Sequence, residues 1–275
     1  MTASSPHTSL PAGAPASAST AGVERAALVA AFDAQMQPER FKDYGPNGLQ
    51  VEGTSCVRKM VSGVTASRAL IDAAIDAGAD TIFVHHGLFW RGQDGRVTGW
   101  MKERLKRLLA HDINLLAYHL PLDAHPSLGN NAQLGQRLGL VADGRFGEQD
   151  LGFIGAPADP AASALVSLEA LANHVQQVLG RPVVQVGLTV GPIKRVAWCT
   201  GGAQGYFEAA IAAGAQAFIT GEISEPQAHL ARECGVAFLA CGHHATERYG
   251  APAMAAHVAA QLGVTHQFID IDNPA

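Results

Sequence analysis

Six of the twelve histidines stand in three short segments, VHHG (84–87), AYHLPLDAHP (117–126) and CGHHATERYG (241–250). Imidazole nitrogens and carboxylate oxygens are the donors that Zn, Mn and Fe accept, and these segments carry both. His85 and His86 are adjacent at the end of the apolar run TIFV (81–84). Neighbouring strand residues point to opposite faces, so the pair could not reach one point from inside a regular strand. With Gly87 next, the chain can turn and the two imidazoles can diverge toward two nearby targets, a geometry suited to two metals rather than one. His243 and Glu247 are four residues apart and share a face if their segment opens a helix. Asp123 adds a carboxylate just past the run that ends at Tyr118. Each feature alone has a plainer reading: hydrogen-bonded structure for the histidine pair, a solvated i,i+4 pair for His243 and Glu247, a helix cap for Asp123. Their combination after three strand-like runs favours a metal site.

The elements that must position these residues alternate along the chain. After an opening helix over 23–36, the pattern predicts strands near 58–65, 81–85 and 113–118, with helices near 67–77, 98–110 and 130–138. The rhythm returns with strands near 194–200, 216–220, 236–241 and 265–271 and helices near 204–213, 223–233 and 251–262. Between them, 141–190 is less regular, with a helix at 165–179 and flanking strands. Parallel βαβ units follow, hence an α/β protein. IDAAIDAGADTIFVHHG (71–87) aligns without gaps to FEAAIAAGAQAFITGEI (207–223), each a helix, a glycine stop and a strand. The expectation is two similar α/β domains related by pseudo-symmetry, 23–140 and 141–275, with a shared site between them. In open α/β sheets ligands bind beyond the carboxyl ends of the strands, where all three histidine segments fall.

Composition excludes several classes. The 275 residues are 48% hydrophobic and 16% charged, which suits a globular chain with a sizeable core. A net charge of −5 lacks the basic excess of nonspecific nucleic-acid binders, so nucleic acid is not an expected partner. Four cysteines without a CxxC pair suit a reduced, cytoplasmic protein, with all four read as core or near-core thiols. Residues 1–22 are rich in Ser, Ala, Thr and Pro and read as a disordered tail rather than a signal peptide. The uncharged stretch 249–269 contains Pro252, His257, Gln261, His266 and Gln267, which makes it a poor membrane span.

DYGPNGLQVEG (43–53), VHHGLFW (84–90), YHLPLDAHPSLGNNAQLG (118–135), FITGEISE (218–225) and GHHATERYG (242–250) together resemble the Nif-three-like family of GTP cyclohydrolase 1 type 2 homologues, over about residues 25–274. That resemblance implies a toroidal homohexamer of two-domain α/β chains with a dinuclear metal centre. It implies that His85 and His86 each bind one of two divalent ions (Zn, Mn, Fe, Co or Mg), that Asp123 binds one and His243 the other, and that Glu247 bridges both. His119, His125, His244 and Glu222 would support these ligands or face a substrate. Asp43 and Asn47 belong to the matching motifs without an assigned role, and structural turns are the plainer reading for them.

Two metals sharing a carboxylate would activate water, so the implied function is a hydrolase acting on a small nucleotide-like or cyclic-amide substrate, including ring opening of the GTP cyclohydrolase type. No GxxxxGK[ST] or GxGxxG turn is present, so a nucleotide would have to be recognised by scattered groups. The alternative is a non-catalytic metal-binding or regulatory scaffold acting through a ring assembly.

Overall fold

The computed structural model describes residues 22–159, 166–188 and 191–275, so the expected tail lies, apart from Gly22, outside the described residues. Near the N-terminus, β1 (Val23–Glu24) and β3 (Cys56–Val57) pair antiparallel. A five-stranded sheet is built from β2 (Gly48–Val51), β4 (Lys59–Thr65), β5 (Thr81–His86), β6 (Asn114–Ala117) and β13 (Thr265–Phe268), in the order β13-β4-β5-β6-β2. A six-stranded sheet holds β7 (Leu140–Phe146), β8 (Gly152–Pro157), β9 (Val184–Val186), β10 (Val196–Trp198), β11 (Ala217–Thr220) and β12 (Ala237–Ala240), in the order β7-β8-β10-β11-β12-β9. The helices are α1 (Arg25–Met36), α2 (Arg68–Asp76), α3 (Gly99–Ala110), α4 (Leu120–Ala124), α5 (Asn130–Arg137), α6 (Leu168–Leu179), α7 (Phe207–Ala212), α8 (Glu225–Cys234), α9 (His243–Glu247) and α10 (Gly250–Leu262). Among the described residues, no helix is long and apolar enough to cross a membrane.

The continuous apolar run of β5 is explained by burial on both faces. Ile82 and Val84 pack with Leu70 and Ile71 of α2, whereas Phe83 packs with Phe32 of α1 and Met254 of α10. The Phe32 and Phe83 rings stack with centroids 4.4 Å apart. Ser67 starts α2 by accepting a hydrogen bond from the Leu70 amide, and Gly78, at φ 67°, turns the chain from α2 into β5. The two aligned copies become α2–β5 and α7–β11. Each strand is the middle one of a parallel trio, β4-β5-β6 and β10-β11-β12.

The sheets are nevertheless mixed, because β2, β8 and β9 pair antiparallel to β6, β10 and β12. Much of the irregular stretch 141–190 supplies these edges. A short turn joins β7 to β8, and a connection that short permits only an antiparallel pair. The chain also departs from a division at residue 140 near its C-terminal end. There β13 pairs parallel with β4, and α10 buries Met254, Ala255 and Val258 in the cluster of Phe32 and Phe83. Residues 250–268 therefore pack on the five-stranded sheet, where their apolar face is covered. Cys199 and Cys241 are buried and Cys56 is partly buried, but Cys234, at the end of α8, is exposed rather than in the core.

Candidate metal centre

The carboxyl ends of β5, β6, β11 and β12 converge, and Glu247 lies at the centre of what they carry. β5 continues through His86, and the two imidazoles, with centroids 4.4 Å apart, reach different oxygens of one carboxylate. His85 Nε2 lies 3.4 Å from Glu247 Oε1 and 3.5 Å from Asp123 Oδ1. His86 Nε2 and His243 Nε2 lie 3.3 Å and 3.2 Å from Glu247 Oε2. His243 and Glu247 meet because α9 places residues i and i+4 on one face. The donors thus fall into one group of His85, Asp123 and Glu247 and another of His86, His243 and Glu247, either of which could hold a metal ion. His119 joins His85 and His86 in a third group.

Each ring is oriented by its other nitrogen. His85 Nδ1 donates to the Tyr118 carbonyl at 3.2 Å, His243 Nδ1 to Glu222 Oε1 at 2.6 Å and His119 Nδ1 to Asp43 Oδ1 at 2.7 Å. His86 Nδ1 pairs with the Thr65 hydroxyl at 3.1 Å. A proton held at Nδ1 leaves Nε2 as a lone-pair donor, the arrangement that fixes tautomer and direction in metal-binding histidines. Asp43 is itself fixed by the Leu120 amide and by Asn47, whose side-chain oxygen accepts the His119 amide. Asp43 and Asn47 are therefore more than a turn: they lock the ring of His119.

The electrostatics of the cluster fit a cation. His85 Nε2 and Glu247 Oε2 are buried and lack a hydrogen-bond partner, a costly state for polar atoms that nothing neutral offsets. Donor separations of 3.2–3.5 Å match the edge of a tetrahedron around an ion bound at about 2.0–2.1 Å, roughly 3.3 Å. Burial works against charge on His85, but Asp123 and Glu247 outweigh it and raise its pKa to about 9. Burial likewise opposes charge on His243, but the nearby Glu247 carboxylate and the bond to Glu222 raise it to about 9. His86 is pushed down to about 3 by burial, against the pull of Glu247. Burial raises the Asp123 carboxyl, with the Glu247 charge adding to it and His85 opposing. Burial would raise Glu247 too, yet the surrounding imidazoles, His86 and His85 foremost, hold it well below the usual carboxylate range.

Residues that sequence reading did not single out complete the support. Asn130 and Thr200 both donate to Asp123 Oδ1, at 2.9 Å and 3.2 Å. Asn131 accepts the Thr200 amide, and the Thr246 hydroxyl accepts the Gly201 amide. Gly201, at φ 69°, has to be a glycine, because a Cβ there would lie 1.9 Å from Glu247 Oε1. Asn130 and Asn131 stand inside the matching motif at 118–135, a signal that was available; Thr200 and Gly201 carried none. A cavity of 170 Å³ opens onto the cluster, lined by Asp123, His243 and Glu247 and by Tyr44, His119 and Tyr206.

Glu222 accepts from His243 Nδ1, and His119 lines the cavity. His244 and His125 are not brought to the cluster. His244 Nε2 meets Asp270 Oδ1 at 2.8 Å instead. His125 Nδ1 accepts the amides of Ser127 and Leu128, and its side chain lines a different cavity.

Fold and site together define an α/β protein with paired sheets and a buried histidine and carboxylate cluster suited to metal. The family model of Duf34/NIF3 (NGG1p interacting factor 3) matches residues 23–274, and the chain belongs to that family. It is 53% identical over 240 residues to the "GTP cyclohydrolase 1 type 2 homolog" of Neisseria meningitidis serogroup A, covering 87% of this chain and 94% of that one. The protein of the same name from Pseudomonas aeruginosa is 50% identical over 251 residues, covering 90% and 97%. A solved structure described as "Structural genomics, protein ybgI, unknown function" superposes with a TM-score of 0.87 at 45% identity, covering 92% of this chain and all of that one.

Proposed function

We propose that the chain is a hydrolase dependent on two divalent metal ions, with a small nucleotide-like or cyclic-amide substrate reacting in the cavity above Glu247. The observation that carries this reading is the division of donors between the two oxygens of one buried carboxylate, His85 and Asp123 near Oε1, His86 and His243 near Oε2. A bound metal pair would polarise an electrophilic oxygen or nitrogen and lower the pKa of water from about 15.7 toward about 7. Asp123 and Glu247 offset the positive charge, and Glu222 and Thr65 hold the rings of His243 and His86 in direction. His119 is fixed by Asp43 with Nε2 free, which suits it to accept or return a proton at a substrate atom in the cavity. The names of the relatives favour ring opening of the GTP cyclohydrolase type, and the same resemblance supports a toroidal homohexamer in the cytoplasm. The test is turnover by metal-loaded protein on pools of nucleotides, cyclic amides and phosphodiesters, with Glu247→Ala as the blank. Metal-dependent turnover abolished in that variant is expected. A wild type no faster than the blank on every pool would leave a metal-binding scaffold as the better reading.

A further inference from the structure

Helix α4 separates two cavities. Leu120 and Asp123 face the one above the metal cluster, whereas Pro121 and Ala124, on the next face, line a second of 610 Å³ together with His125. That volume is in the range of small-molecule sites, roughly 300–1,000 Å³. Its wall carries two guanidiniums, Arg40 and Arg145, and among the described residues neither has a carboxylate within ion-pairing distance. Asp150 is the acidic residue on the lining; it forms no ion pair with either, although its charge favours the charged form of Arg145 from a distance.

Arg145 is half-buried and already held in place. Its guanidinium donates to the carbonyls of Ala124 at 3.2 Å and Asp150 at 3.3 Å and lies over the Phe153 ring, 3.4 Å from the centroid. A guanidinium has five N–H donors, so several remain for a ligand, and little side-chain freedom is left to lose on binding. His125 adds a donor: with Nδ1 accepting two backbone amides, its proton sits on Nε2. Met36, Phe41 and Pro121 supply an apolar wall. At the rim, Gln149 and Asp150 both hold φ 55°, two successive non-glycine residues in the left-handed region, where strain concentrates at ligand sites. Arg40 donates to Gln37 Oε1 at 2.8 Å, which leaves most of its N–H donors for a ligand, and two guanidiniums share the cavity with one lining carboxylate, Asp150.

We propose that this cavity binds the phosphate or carboxylate group of a small organic anion, gripped by Arg40, Arg145 and His125 and separate from the metal cluster. Gln149 lines both cavities, and its side chain brackets the Lys42 backbone, next to Asp43. An occupant would therefore sit against the segment that orients His119.

Calorimetric titration of the full chain with inorganic phosphate, glycerol phosphate and acetate, once metal-loaded and once after chelation, tests the site. At least one anion should saturate with one site per chain in both forms, the tightest naming the headgroup. Arg145→Gln and Arg40→Gln should each weaken it about tenfold or more, with metal content and circular dichroism unchanged. Arg40 is exposed, so its variant reports even if Arg145→Gln fails to fold. Binding that vanishes on chelation would place the anion on the metals and overturn the proposal. Unchanged affinity in Arg40→Gln, or no saturation by any of the three below about 10 mM, would do the same.

Discussion

The two aligned helix–strand units end in the same place with opposite chemistry. His85 and His86 of the first copy stand against Gly221 and Glu222 of the second. The first copy delivers imidazoles directly from its strand end. The second cannot: a Cβ at Gly221 would lie 2.6 Å from the Cα of His243, so that position only makes room. Its carboxylate, Glu222, holds His243 from behind, and the donors come from α9 instead. A repeated backbone therefore fixes where a site lies, while the residues at the strand ends decide which half supplies donors and which supports them.

The largest effect should come from Glu247, on which both groups of donors depend. Loss of a supporting hydrogen bond typically costs about 10–100-fold in metal affinity, so Glu247→Gln should exceed that range. His243→Ala should also lose metal, whereas His244→Ala, whose ring faces Asp270, should keep it. Affinity measured on folded variants decides this, and the reverse order for the two histidines would invert the comparison. Next comes Gly201→Ala. The left-handed φ and the clash with Glu247 should cost about 1–3 kcal/mol in stability, read as a lower Tm, together with reduced metal uptake.

Much of this was legible because the donors stand in contiguous segments of telling residue types: HH before a glycine, HxxxE, and an aspartate after a strand. Element positions were legible from periodicity. What could not be read is contact between distant segments. Nothing local says that β13 joins β4, that Asp43 will hold His119 from 76 residues away, or that Thr200 will reach Asp123. His125 belongs to the same motif as Asp123, yet a turn of backbone amides draws its ring elsewhere.

The supporting half should show smaller effects. Glu222→Gln keeps the shape but accepts the His243 proton less strongly, and a loss of about tenfold in affinity for one ion is expected, with the other unchanged. Titration with a competing chelator resolves the two. Protons provide a further check. In metal-free protein His85 and His243 titrate near 9, above the ordinary value of about 6.5. Their contribution to stability is therefore full below about pH 6.5 and lost as pH rises through about 9. Metal-free protein should show a falling Tm across that interval. Metal must displace the same protons, so affinity should climb with pH up to about 9, and uptake at pH 7 should release protons into a weakly buffered solution. Affinity that is flat from pH 6 to 9 would contradict these assignments.

The central claim is that one carboxylate divides the donors between two ions, and counting the ions tests it most directly. Elemental analysis of protein reloaded with excess divalent metal and then desalted should give two ions per chain in the wild type. His85→Ala and His86→Ala should each keep about one. A wild type that never retains more than one ion, under any metal supplied, would contradict the account.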